Sequence, residues 1–228
     1  MNIEAITTLL ANLEAGAITW EQALTEVTAL PTAWQTREWK ERRAALIGDT
    51  CAVCATTEGP FVLQHLVRCD HYKQVCETVK AEFRARLLSL VSVTPEEVAA
   101  HIGSGEERLA CPSCGSISIR ERKNHPLPYV CSKARCPKPY FVTPVPVRYY
   151  RKQQTTDRQE ALATAHPFLL SVAVTTELRK HDQAIQHEAT LRSLRQSLVY
   201  RSLQHTATYC KKCAFKEDLP AINRKHYA

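Results

Sequence analysis

Eight of the ten cysteines fall into four close pairs: Cys51-x2-Cys54, Cys111-x2-Cys114, Cys131-x4-Cys136 and Cys210-x2-Cys213. A Cys-x2-Cys pair on a tight turn offers two sulfurs to one ion, and two such turns complete the tetrahedral shell that zinc prefers. Cys111, Cys114, Cys131 and Cys136 bracket sixteen residues with a strand pattern, and proline and Gly115 around them suit tight turns. Ordinary buried thiols would not explain two pairs flanking such a segment. One zinc is therefore expected on these four residues.

The redox setting decides between metal and disulfide. The N-terminus, Met1-Asn2-Ile3-Glu4, lacks the basic and apolar regions of a signal peptide, and no run of eighteen apolar residues occurs. These features lead us to expect a cytoplasmic chain with no membrane partner. Thiols stay reduced there, and paired cysteines bind metal or do redox work.

Apolar residues make up 44% and charged residues 23%, a globular balance. The formal charge is +7, and a four-thiolate zinc site contributes about −2, so two sites would leave about +3. Clustering matters more than that total. Residues 115 to 152 carry nine basic side chains, Arg120, Arg122, Lys123, Lys133, Arg135, Lys138, Arg148, Arg151 and Lys152, against one acid, Glu121. Nine minus one gives a local +8, or about +6 after one thiolate zinc site. Tyr129, Tyr140, Phe141, Tyr149 and Tyr150 interleave with them. Basic side chains bind phosphates and exposed aromatics stack on bases, so DNA or RNA is the expected partner.

These groups must be positioned by helices and short strands. Ile3, Ile6, Leu9, Leu10 and Leu13 share one helical face, and Gly16 ends it. Thr19 and Gln22 form a capping box for a helix through Trp20, Leu24 and Val27, which Pro31 stops. A third helix is expected through Trp34, Trp39 and Leu46. Val75, Val79, Phe83 and Leu87 mark a fourth, and Thr94-Pro95-Glu96-Glu97 starts another. Gly103-Ser104-Gly105 reads as a linker, and Ser116–Arg122 alternates as a strand. Phe168–Val174 fits a buried strand or a helix equally well, whereas Leu191, Leu194 and Leu198 mark a clear helix.

The stretch around Cys111–Cys136 resembles a zinc ribbon. Trp39-x2-Arg42-Arg43, Cys51-x2-Cys54, Val62-Leu63-Gln64-His65 and Tyr200-x-Ser202-Leu203 followed by Thr208-Tyr209-Cys210-x2-Cys213 resemble the HNH nuclease family of treble clefs. That resemblance covers residues 34–70 and 198–218. It implies an α+β fold, with helices around a split treble-clef zinc site and an inserted zinc-ribbon subdomain. The segments would then be an N-terminal helical part (1–50), the first half of the treble clef with helices (51–108), the ribbon (109–152), and helices with the second half (153–228). It also implies a second zinc on Cys51, Cys54, Cys210 and Cys213, two ions in all. His65 falls at the family's general-base position and Asp218 near a ligand position. Gln64 and Ala214 stand where the family often has metal-binding residues, so the catalytic set is thinned.

A local alternative stays open, because Cys51-x2-Cys54-x10-His65-x3-Cys69 nearly has the spacing of a small finger. Cys210 and Cys213 would then need Cys76, His71, His205 or His226. Three functional readings follow. The leading one is nucleic-acid binding with structural zinc. The second is an HNH-type endonuclease using His65 with magnesium or manganese. The third is a zinc-stabilised scaffold for a protein partner.

Overall fold

A computed structural model describes residues 3–226, with side chains placed through Asp218. In chain order the elements are α1 (Ile3–Glu14), α2 (Trp20–Ala29), a 3-10 turn (Ala33–Gln35), α3 (Arg37–Ala45), β1 (Phe61–His65), α4 (Tyr72–Leu90), α5 (Pro95–Ile102), β2 (Glu106–Ala110), β3 (Ile119–Glu121), β4 (Tyr129–Cys131), β5 (Tyr140–Phe141), β6 (Val145–Tyr149), α6 (Arg158–Lys180), α7 (Asp182–Ser202), β7 (Thr206–Cys210) and α8 (Lys211–His226). The fold is thus mixed, with helices and small antiparallel sheets. The chain divides into two units, residues 1–83 with 181–228, and residues 84–180.

In the first unit, Ile6, Leu9 and Leu13 of α1 meet Ala23 of α2 and Leu191 and Leu194 of α7 in one core. Burying each large aliphatic side chain contributes roughly 1.5–3 kcal/mol. The Thr19–Gln22 capping box forms in both directions at the start of α2. The third helix starts later than expected. Thr36 accepts a hydrogen bond from the Trp39 N–H and caps α3, which leaves Trp34 in the preceding 3-10 turn, 56% exposed. Trp39 faces inward against Ala33, Leu63 and Leu203. β1 and β7 pair antiparallel, with Phe61 opposite Cys210 and His65 opposite Thr206. Helix α8 follows β7 without a break.

In the second unit, Thr94 and Glu97 form the second capping box, and α5 packs with α6 through Val98, Ile102, Ala161 and Ala165 around Tyr150. Gly103 and Gly105, read as linker, cap α5 and lead into β2. Gly105 sits at φ +73°, and a Cβ there would come within 3.2 Å of the Tyr150 ring. The expected strand over Ser116–Arg122 shortens to Ile119–Glu121, because the cysteine turn occupies its beginning. Two sheets form here, β2–β6 and β3–β4–β5. Phe168–Val174 resolves as helix within α6. By length and composition α6 is also apolar enough to cross a membrane. A strict apolar count passes over it, since His166, Ser171, Thr175 and Thr176 interrupt the run.

Candidate metal centres

The cysteine turn that starts at Cys111 is closed by two backbone bonds: Gly115 N–H donates to Cys111 O, and Cys111 N–H to Ser116 O, both at 2.9 Å. Gly115, at φ +68°, makes the reversal. On the opposing turn the Lys133 N–H donates to Cys131 Sγ at 3.4 Å, and Arg135 takes a positive φ of 61° that brings Cys136 back. The result is a tetrad with Sγ–Sγ distances of 3.7 Å for Cys111–Cys136 and 3.6 Å for Cys114–Cys131. Zinc–sulfur bonds of about 2.3 Å imply tetrahedral edges of about 3.8 Å, so the spacing fits. Ile119, Tyr129 and Phe141 pack beside the tetrad and shield one flank.

Cys51 begins a turn of the same build. Ala55 N–H donates to Cys51 O and Cys51 N–H to Thr56 O, again both at 2.9 Å, with Ala55 at φ 55°. Ala52 N–H donates to Thr208 O at 2.9 Å, which fastens this turn to β7. Cys210 ends β7 and Cys213 lies in the first turn of α8. Cys54 Sγ lies 3.8 Å from Cys210 Sγ, and the four sulfurs of each tetrad lie within 4.8 Å of one another. Both tetrads therefore have the donor set and spacing to hold a zinc ion.

Thiol acidities point the same way. The Cys210 backbone N–H, outweighing the effect of burial, draws Cys51 down to about 6. Likewise the Ser116 N–H draws Cys114 down to about 7. Burial pushes Cys136 up to about 12, and hydrogen bonding to Cys210 pushes Cys213 to about 12. Crowded thiols cannot all ionise beside one another unless a cation shares the space.

The structure does not assemble the local finger. Cys69 donates to Gln196 O at 3.2 Å, and the partners of Cys51 and Cys54 are Cys210 and Cys213. Cys76 lies 3.6 Å from Gln186 Oε1, and neither His71 nor His205 joins a tetrad. The His226 side chain lies outside the described residues.

His65 faces a cleft of about 350 Å³ together with Trp39, Arg43, Gln64, Arg68, Tyr200 and Asp218. Its ring stacks on Tyr200 at 3.9 Å and lies near-parallel to Trp39 at 6.4 Å. Burial, with a smaller push from Arg43, holds its pKa below the ordinary histidine value. His65 Nε2 is buried and has no partner among the described residues. Asp218 is engaged instead: its Oδ1 accepts from Arg68 at 2.6 Å and from Gln64 at 3.0 Å. Arg68, which the motif reading passed over, thus neutralises the one carboxylate in the cleft.

The nine basic side chains separate into two groups. Arg120, Arg122, Lys123, Lys133, Arg135 and Lys138 lie on β3 and in the segments that join β3, β4 and β5, and none of them makes an ion pair among the described residues. Arg148 lies opposite Glu107 in the β2–β6 register, Arg151 lies 3.8 Å from Glu106, and Lys152 donates to His101 O at 3.3 Å. Hydrogen bonding from Arg108, with help from Arg151, holds the Glu106 carboxyl below its usual range. The aromatics divide too. Tyr129 stacks on Phe141, Tyr150 is buried and Tyr149 sits under Arg108. Tyr140 alone of the five is exposed. Comparison of the chain with protein-family models, with curated proteins and with solved structures finds no match.

Proposed function

We propose that this chain is a zinc-stabilised nucleic-acid-binding protein. The Cys51, Cys54, Cys210, Cys213 tetrad is read as a split treble clef: a cysteine turn, a two-stranded sheet and a helix start converge on one ion. The Cys111–Cys136 tetrad is read as the inserted ribbon. With four thiolates each, both shells are full, which suits structural rather than catalytic zinc. The observation that carries the reading is the set of six basic side chains along the ribbon, with no acid paired to them among the described residues.

Fluorescence anisotropy with labelled DNA and RNA, over a range of salt, tests it. Replacing Arg120, Arg122 and Lys123 together by Ala should weaken binding and lower the salt slope by about two, at roughly 0.7–0.9 per phosphate contact. An unchanged slope would move the contact face elsewhere. No binding at low salt would overturn the reading and leave the protein-scaffold alternative.

The endonuclease alternative is less well supported. His65 is held in an aromatic stack and Asp218 is tied to Arg68. A metal-dependent nuclease needs open ligand positions at the scissile phosphate. Plasmid incubated with magnesium or manganese should therefore stay intact. Cleavage that disappears in His65→Ala, with both zincs retained, would reverse that choice.

A further inference from the structure

The β3–β4–β5 sheet has two faces of different chemistry. Side chains alternate along a strand, and residues opposite one another across a ladder share a face. Ile119 pairs with Cys131, and Tyr129 pairs with Phe141. That face holds the ribbon core and its sulfurs. The other face carries Arg120 opposite Val130 and Val130 opposite Tyr140, a row that crosses all three strands. Arg122, the residue after β3, continues the alternation onto the same face, and its guanidinium lies 5.1 Å from the centre of the Tyr140 ring. Arg120 donates to Ser132 Oγ at 3.2 Å, which holds it across the sheet.

Tyr140 is 52% exposed and Val142 is 59% exposed. A three-stranded sheet this small buries only one face, and here an aromatic ring, an aliphatic side chain and two guanidinium groups stand on the other. No carboxylate is on it: Glu121, the acid of β3, is opposite Tyr129 and belongs to the core-side alternation. Lys123, Lys133 and Lys138, all exposed, rim the sheet.

We infer that the open face of the β3–β4–β5 sheet binds single-stranded nucleic acid, with a base stacked on the Arg122–Tyr140 pair and the phosphates on Arg120 and the rim lysines. This rests on the nucleic-acid reading above and narrows it to an unpaired strand. Duplex bases are stacked on each other and offer no face to a tyrosine, whereas every unpaired base does. A duplex would leave Tyr140 and Val142 against the sugar–phosphate backbone.

The test compares wild type, Tyr140→Leu and Tyr140→Phe on labelled oligothymidylate of about 15 nucleotides and on a duplex of equal length. Zinc content, measured alongside, checks the fold of each variant. Stacking on one base is worth roughly a 5- to 150-fold change in affinity. The expected result is tighter binding of the single strand than of the duplex, at least about 5-fold loss of single-strand affinity in Tyr140→Leu, and retention in Tyr140→Phe. In the wild-type protein, ultraviolet cross-linking of a 5-iodouracil-substituted strand should modify Tyr140, a readout independent of any variant. Equal affinity for duplex and single strand, an unaffected Tyr140→Leu, or cross-links confined to other residues would overturn the stacking inference while the broader reading stands. Failure to bind either oligonucleotide would overturn both.

Discussion

The turns that start at Cys51 and Cys111 share one backbone path but place different residues at its left-handed position, Ala55 at φ 55° and Gly115 at φ +68°. A Cβ in that region costs roughly 1–2 kcal/mol, whereas glycine enters it freely. A Cβ added at Gly115 would meet nothing within 4 Å, so Gly115→Ala changes backbone preference without a clash. The smaller conformational freedom of unfolded alanine returns roughly 0.4–1 kcal/mol, leaving a net loss of about 1 kcal/mol. Ala55 is exposed, so Ala55→Gly gives up no packing and should gain about the same amount at its own turn. In a small metal-held module, zinc-binding free energy is folding free energy. About 1 kcal/mol then corresponds to about 5-fold in apparent zinc affinity. Competition against a calibrated chelator reads this, with the untouched tetrad as an internal reference. Gly115→Ala should release its zinc more readily and Ala55→Gly less readily. If Ala55→Gly weakened zinc retention, or both variants matched wild type, the account of both turns as limited by a Cβ in the left-handed region would be refuted.

Elemental analysis of protein kept reduced should return two zinc ions per chain, with Cys111→Ser and Cys51→Ser each removing one, as expected of one ion per tetrad. A chain with one ion or none would contradict the tetrad assignments. Because burial holds the folded-state pKa of His65 below its unfolded value, the folded chain binds fewer protons through that window. Its contribution to stability is therefore complete above about pH 6.5 and falls as acid is added. His65→Phe keeps a ring in the stack and should flatten that part of the pH dependence in urea unfolding, measured against wild type. A steeper dependence in the variant would show that His65 gains protons on folding.

The chemistry was legible wherever local spacing alone decides it. Four cysteine pairs, the Thr19–Gln22 capping box, the helix start at Thr94 and the α1 and α7 stripes could be read because each involves residues within one or two turns of one another. The α6 segment was ambiguous because Phe168–Val174 is apolar but for Ser171, and so short a run carries neither a helical nor an alternating period. α3 began late because Thr36 accepts the Trp39 N–H, whereas Thr32, the same residue type ahead of Trp34, makes no side-chain cap bond, a choice that only local hydrogen bonding reveals. The charge count misled in a different way. A window that opened at Gly115 left out Glu106 and Glu107, which strand pairing returns to the side of Arg148 and Arg151. Arg68 was passed over for the same reason, since its meeting with Asp218 joins residues 150 positions apart. The open sheet face needed register as well as alternation, because Arg120, Val130 and Tyr140 align only once β3, β4 and β5 are paired.

The two tetrads differ most in how much chain each must draw together. Cys111 and Cys136 are 25 positions apart, whereas Cys54 and Cys210 are 156 apart. Loop-closure cost grows as (3/2)RT ln n, so the longer circuit costs about 1.6 kcal/mol more to close from the unfolded chain. Synthesis adds a separate ordering, because the chain emerges from its N-terminus. The ribbon has all four sulfurs once Cys136 is made, while Cys51 and Cys54 must wait until Cys210 and Cys213 appear. With zinc at both tetrads, a nascent chain would carry a finished inner module and an unpaired outer one while the stretch from Cys136 to Cys213 is made, and the last ion to enter would be the one that ties together segments 156 positions apart.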